Sequence, residues 1–226
     1  MSTYAYLKTD IINTAENDST EFSDQISYFV NRAEDRLIKE LDDSGLDYYS
    51  SFTFTASDPV VSLPAGTLVV RNVSFKTSAS SNITPLLQRS YEYAIDFWGY
   101  ASASTGTPRY YARKNNTSIY IVPTPASTLT GEVQYTKKPL ALSSATGTSA
   151  TTTNYFSEFC YNALFNACMI EAYVYMKSWN TVSLWEGQYK NAIDALRNQA
   201  RRTRRDDMET PASPTGGPDP VIQGAN

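Results

Sequence analysis

Residues 154–205 constrain the fold of this chain more than any other stretch, because a helical period runs through them for about fifty residues. Phe156, Cys160, Ala163, Leu164, Ala167, Ile170 and Val174 recur at three- and four-residue steps, the spacing that lines one face of a helix. Asn154 stands just before the run as an N-cap, its side-chain oxygen placed to accept from the free backbone donors of the first turn. Val182, Trp185, Tyr189, Ala192, Ile193 and Leu196 form a second periodic run after Lys177-Ser178-Trp179-Asn180. Two helices packed antiparallel as a hairpin are expected. These residue types fix packing and carry no chemistry of their own.

Upstream, Tyr4, Leu7, Ile11, Ile12 and Ala15 predict a short amphipathic helix. Asp18-Ser19-Thr20-Glu21 follows, an acceptor with a glutamate three residues later, which reads as a capping box. The helix it opens carries the stripe Phe22, Ile26, Phe29, Val30, Ala33, Leu37 and Leu41, with Arg32, Glu34, Asp35, Arg36, Lys39 and Glu40 mostly around the other side. Its end is expected near Asp43-Ser44-Gly45, where a glycine suits a left-handed C-cap. From Tyr48 the period switches to two. Phe52, Phe54 and Ala56, then Val60 to Leu63, Leu68 to Phe75, Tyr110 to Arg113, Thr117 to Val122 and Leu129 to Thr136 are strand candidates, with a tight turn at Asn115-Asn116. The aromatic cluster Tyr91, Tyr93, Phe97, Trp98 and Tyr100 predicts a short helix or turn serving as core or protein interface.

The expected class is α+β. Residues 1–47 and 154–205 form a helical bundle, residues 48–139 an inserted antiparallel β-rich region, and the Ser/Thr-rich residues 140–153 a flexible connector. Residues 206–226, with four prolines, three glycines and little to bury, form an extended arm disordered in the isolated protein.

The chain contains no histidine, which removes catalytic triads, Cys–His dyads, imidazole bases and the commonest metal ligand together. Glu158, Glu171 and Glu186 read as surface acids rather than a glycosidase pair, and Asp42, Asp43 and Asp47 miss the spacing of a calcium loop. No catalytic residue, cofactor or metal is expected, and the chain reads as a non-enzyme. Cys160 and Cys168 lie eight positions apart on one helix, about 12 Å, so they cannot bridge each other. They are expected as buried apolar side chains in a reducing compartment, with intersubunit pairing as the alternative. The sequence opens with neither a basic n-region nor an apolar h-region, and no run is long enough to span a bilayer, so a soluble product of a cytoplasm is expected.

Charge is uneven. Residues 1–47 hold 11 acidic and 4 basic side chains, residues 48–153 hold 4 and 8, and residues 154–226 hold 8 and 7. Such an acidic balance argues against general nucleic-acid binding. The strongest charge feature is the run Arg197, Arg201, Arg202, Arg204 and Arg205; a helix C-terminus favours one or two cations, hardly five. The excess points to a partner with acidic groups.

Tyr28-Phe29-Val30-Asn31-Arg32-Ala33-Glu34-Asp35-Arg36-Leu37, then Gly106-Thr107-Pro108-Arg109-Tyr110-Tyr111 and Ile119-Tyr120-Ile121-Val122-Pro123-Thr124-Pro125, resemble the head-to-tail adaptor proteins of tailed bacteriophages. Ala163-Leu164, Ala167, Glu171-Ala172-Tyr173, Lys177, Trp185-Glu186, Tyr189 and Ala192 are similar to that family's closing helices. The chain departs from the pattern at Asn180-Thr181-Val182 and in the long Ser/Thr-rich stretch. The resemblance implies a virion structural protein made in the host cytoplasm. It implies a ring of about twelve copies at the head–tail junction, contacting the portal protein and a tail or nozzle protein, with DNA passing through and no membrane partner. Portal contact falls to Arg197, Arg201, Arg202, Arg204 and Arg205, with Val221 and Ile222 as the apolar anchor of the arm. The competing readings are a non-viral protein-interaction module and an adaptor with accessory cell-wall hydrolase activity.

Overall fold

The computed structural model describes residues 3–41, 44–78, 82–99, 105–143 and 150–203. The expected arm at residues 206–226, together with Arg204, Arg205, Val221 and Ile222, lies outside the described residues. No helix of the chain is long and apolar enough to cross a membrane, among the described residues. Contacts divide the chain into two compact units, Met1–Asp10 with Asp43–Tyr161, and Ile11–Asp42 with the chain from Asn162 onward. These cuts follow contact density, whereas the sequence borders at residues 47 and 154 follow the change of hydrophobic period. The fold is α+β, with helices at both ends of the sequence and sheets between them.

Helix α1 spans Tyr4–Ala15 and α2 spans Thr20–Glu40. Both ends of α2 differ from the sequence expectation. Its N-cap is Ser19, whose hydroxyl accepts from the Phe22 amide at 3.3 Å, and Ser19 is itself held by the Asn17 carboxamide oxygen, so the cap sits one residue after Asp18. The helix stops at the extended Leu41, before any glycine. Gly45 instead lies in a short 3-10 turn, Ser44–Leu46, where an added Cβ would overlap the Tyr155 ring; close approach, not a left-handed backbone, is what requires glycine there.

In the first unit, strands β1 (Asp47–Phe54), β2 (Val60–Ser62), β3 (Thr67–Lys76), β4 (Thr84–Pro85) and β5 (Leu87–Arg89) precede helix α3 (Tyr91–Trp98). Then come β6 (Thr105–Gly106), β7 (Tyr110–Arg113), β8 (Ser118–Val122), β9 (Thr124–Pro125), β10 (Leu129–Lys137), β11 (Ala141–Leu142) and β12 (Ala150–Thr151). One four-stranded sheet has the order β1-β10-β3-β4 and a second the order β2-β8-β7-β5. Every long pairing is antiparallel, although only β7 and β8 are joined by a tight turn; the parallel pairs, β5 with β7, β6 with β9 and β11 with β12, are two or three residues long.

One buried cluster takes Phe54, Val73, Phe75 and Val133 from the first sheet and Val61, Tyr111, Ile119 and Ile121 from the second. Strand β8 is buried on both faces, since the period of two sends Ile119 and Ile121 into that cluster and Tyr120 and Val122 toward Ala94 of α3. Register across β1, β10 and β3 is pinned by polar groups. Asp47 accepts from Thr136 Oγ1 at 3.0 Å and Gln134 Nε2 at 3.2 Å, while Arg71 Nε reaches both Asp47 and Thr136. The turn between β7 and β8 is the expected one: Asn115 Oδ1 accepts from the Thr117 amide and from the hydroxyls of Thr117 and Ser118. The connector carries structure at both ends, where β11 meets β12 and Asn154 Nδ2 donates to the Leu140 carbonyl at 3.0 Å.

The helical run from Asn154 contains three helices rather than two: α4 (Tyr155–Phe159), α5 (Tyr161–Tyr175) and α6 (Trp179–Thr203). Asn154 is the N-cap, in a capping box with Ser157. At Cys160 the backbone keeps the bond to the Phe156 carbonyl but leaves helical geometry, with ψ at 27°. In the second unit, α5 is buried almost all round, the signature of a central helix. Phe22 and Phe29 of α2 pack on Tyr175, and Trp185 of α6 packs between Phe165 and Tyr173. A Schellman motif closes α5: the Lys177 amide donates to Val174 and the Ser178 amide to Tyr173, with Lys177 at φ 59°. Cys160 and Cys168 are both buried and unbridged. Burial, with Glu34 and Glu171 nearby, pushes the Cys168 thiol well above its ordinary range, so it remains an inert thiol.

Candidate functional site

The five-arginine run starts on α6, which Arg36 of α2 ties to that helix. Arg36 lies beside the apolar stripe, so its long stem can leave the core while its guanidinium crosses to the neighbouring helix. Nη1 and Nη2 of Arg36 donate to the two oxygens of Glu186 at 2.9 and 2.8 Å, a bidentate fork, and Nε donates to Glu40 Oε1 at 3.0 Å. The same guanidinium lies 4.2 Å from the centre of the Tyr189 ring. The hydrogen bond to Glu186 raises Arg36 above its ordinary value, and the reciprocal bond from Arg36 lowers Glu186. Burial, with the charge of Glu40, pushes the Tyr189 hydroxyl well above its usual range. A parallel tie joins α2 to α5, with Arg32 Nη1 at 3.2 Å from Glu171. Glu171 and Glu186, weighed in the sequence as surface acids, are thus ion-pair partners, while Glu158 is exposed.

Arg36, Glu186 and Tyr189 belong to motifs that carried the resemblance, yet nothing in the sequence tied the α2 residue to the α6 pair. Their pairing is a long-range contact across 150 positions. Glu34 is a correction: expected on the solvent side, it is fully buried. It stands four residues after Val30 and three before Leu37, which rotates it onto the edge of the buried stripe.

The cationic residues themselves separate into two kinds. Arg197 Nη2 donates to the Glu40 carbonyl at 3.2 Å, satisfying a C-terminal carbonyl of α2, and its Nη1 lies 3.6 Å from Asp194. Arg201 and Arg202, in the last turn of α6, are exposed and carry no ion pair among the described residues. A recess of ≈ 320 Å³ is lined by Arg36, Glu40, Glu186, Tyr189, Lys190 and Arg197. The geometry brings Arg197 together with Arg36 and gives Arg201 and Arg202 to the surface.

Fold and site define an α+β protein whose charged groups are arranged as interhelical ion pairs and a cationic helix end. The sequence profile of the SU10 adaptor protein family matches residues 2–215, and the chain belongs to that family of phage adaptor proteins. Membership makes it a bacteriophage structural protein of the virion, of a class that meets portal and tail proteins, and the non-viral reading gives way to it. No curated protein matches the chain.

Proposed function

We propose that this phage adaptor closes into a ring of about twelve copies at the head–tail junction, docked between the portal and a tail or nozzle protein and lining the channel through which DNA leaves. The family match over residues 2–215 is the observation that carries this reading. Charge is consistent with it. The 11 acidic and 4 basic side chains of residues 1–47 would let DNA slide past without adhering, since adhesion to the backbone depends on cations.

Subunits join through surface contacts rather than disulfides or metal, because both cysteines are buried and histidine is lacking. Portal contact is assigned to Arg201, Arg202, Arg204 and Arg205, with Arg197 holding the helix end in place and Val221 and Ile222 anchoring the arm. Arginine suits carboxylates on the portal because its fork binds them bidentately. Two variants test the assignment: a chain ending at Arg205, and a full chain with Arg201, Arg202, Arg204 and Arg205 changed to serine. Reduced attachment to portal-bearing heads, or heads that leak DNA, is expected of both. Wild-type attachment and full DNA retention by both variants would remove the portal role from these residues.

A further inference from the structure

Helix α3 leaves an aromatic face uncovered. Its N-cap Ser90 accepts from the Tyr93 amide at 3.2 Å, and the helix buries Ala94 against Ala112, Tyr120 and Val122. That orientation turns Tyr93 and Phe97, four residues apart, to solvent; they are 44% and 68% exposed. The rings form a continuous surface. Tyr93 stacks on Phe97 with centroids 5.9 Å apart, Phe97 meets Trp98 at 4.5 Å, and Trp98 meets Tyr110 of β7 at 5.3 Å. Arg89 supplies the charge, its guanidinium 5.8 Å from the Tyr93 ring and 5.5 Å from the Tyr110 ring. A wide recess of ≈ 610 Å³ opens beside it, lined by Gln88, Arg89, Ser90 and Tyr93. The acids of α3, Glu92 and Asp96, each stand one position before Tyr93 and Phe97 and so lie about 100° round the helix from them.

The same sequence contains a segment of matching chemistry. Residues 206–226 include Pro211, Pro214, Pro218 and Pro220, with the first two spaced P-x-x-P, and they carry four acids and no base. Proline-rich segments favour the polyproline II helix, which docks on aromatic surfaces without hydrogen bonds of its own and with little ordering cost. Aromatic faces pack on the proline rings, and one cation selects acidic flanks. The 23 residues after Thr203 span about 70 Å when extended at about 3.1 Å each, enough to reach an adjacent molecule. We propose that the α3 face of one copy binds the proline-rich segment around Pro211–Pro220 of a second copy, linking neighbours in the assembly. The adjacent copy is supplied by the proposed ring, so the inference rests on that reading; Arg204, Arg205, Val221 and Ile222 remain for the portal.

The test needs no portal. A fluorescein-labelled peptide of residues 206–226 is titrated with the full-length chain whose four tail prolines are changed to alanine, so that its own tails do not compete. Saturable binding in the micromolar range is expected. Phe97→Ser in that background should weaken it at least tenfold, and Arg89→Glu should weaken it most at low salt. Tyr93→Ser serves as a second variant and should weaken binding likewise; both rings are exposed, so circular dichroism of either variant should match that of the parent chain. Absence of saturation below about 1 mM, or equal binding by the Phe97→Ser chain, overturns the proposal. Association of the chain that persists with all four tail prolines replaced but is lost on adding Phe97→Ser makes the aromatic face a self-pairing surface and overturns it equally. A failed ring reading would leave peptide binding untouched, which separates the two.

Discussion

Changing Glu186 to glutamine keeps the size of the side chain and removes its charge, so it isolates the ionic part of the link between α2 and α6. The fork from Arg36 has two bonds, at 2.9 and 2.8 Å, but its side chains are 33% and 43% exposed, and water screens such a pair. A bidentate pair in that setting contributes about 1 kcal/mol. For a chain of this size that corresponds to a fall in Tm of about 2–4 °C. Arg36→Met, which keeps the stem, also loses the bond to Glu40 and the contact with Tyr189, and should cost about 2 kcal/mol. A double-mutant cycle in urea should return a coupling of about 1 kcal/mol between the two positions.

The pH dependence fixes the sign. Arg36 lowers the carboxyl pKa of Glu186 in the folded chain, so this contribution is fully present above the unfolded value, about 4.3. It disappears as pH falls through the lower, folded value. Glutamine does not titrate, so the gap between wild type and Glu186→Gln should be largest at pH 7 and close in acid. Additive single mutants, or a gap unchanged between pH 7 and pH 3.5, would refute the reasoning.

Four further outcomes are expected. Lys177→Gly should stabilise the chain by about 0.5–1 kcal/mol in urea melts, because Lys177 holds φ 59° at the end of α5 and glycine adopts that backbone without strain; destabilisation would contradict the Schellman assignment. Gly131→Ala should cost about 2 kcal/mol, since its Cβ would stand 2.7 Å from the Phe52 ring and 2.9 Å from that of Phe54, which is fully buried and has nowhere to move; a neutral result sinks this account of the glycine. Asp47→Ala should loosen the pairing of β1, β10 and β3 by about 1–3 kcal/mol, read as faster amide exchange confined to those strands. We propose that residues 1–47 and 154–205 melt as one bundle; Leu164→Asp at a fully buried position should then expose both segments together in hydrogen exchange, and separate melting would count against it.

Long regular signals were legible in the sequence, and short or long-range ones were not. The period of two located β1 and β10, and the period of 3.6 located α2 and α6, because each buries one face over many residues, while apolar runs marked β3, β7 and β8. Strands of two residues, such as β6 or β11, contain no period to read. The break at Cys160 escaped because Phe156, Cys160 and Ala163 continue the helical spacing straight through it. Glu34 is acidic in type yet stands at the edge of the buried stripe, and its rotational position, not its type, decides its burial. At the site, the arginine run was visible, but its division into the capping Arg197 and the exposed Arg201 and Arg202 depends on where α2 ends. The fork between Arg36 and Glu186 joins positions 150 residues apart and has no local signature.

The central claim is that the chain builds a ring on the portal, and the direct measurement is a negative-stain image, with a native mass, of the purified protein mixed with its portal. The account predicts a closed ring of about twelve copies seated on one face of the portal, unchanged by chelator or reductant. A portal left bare beside a monomeric chain, or a ring that dissolves in chelator or reductant, would contradict it.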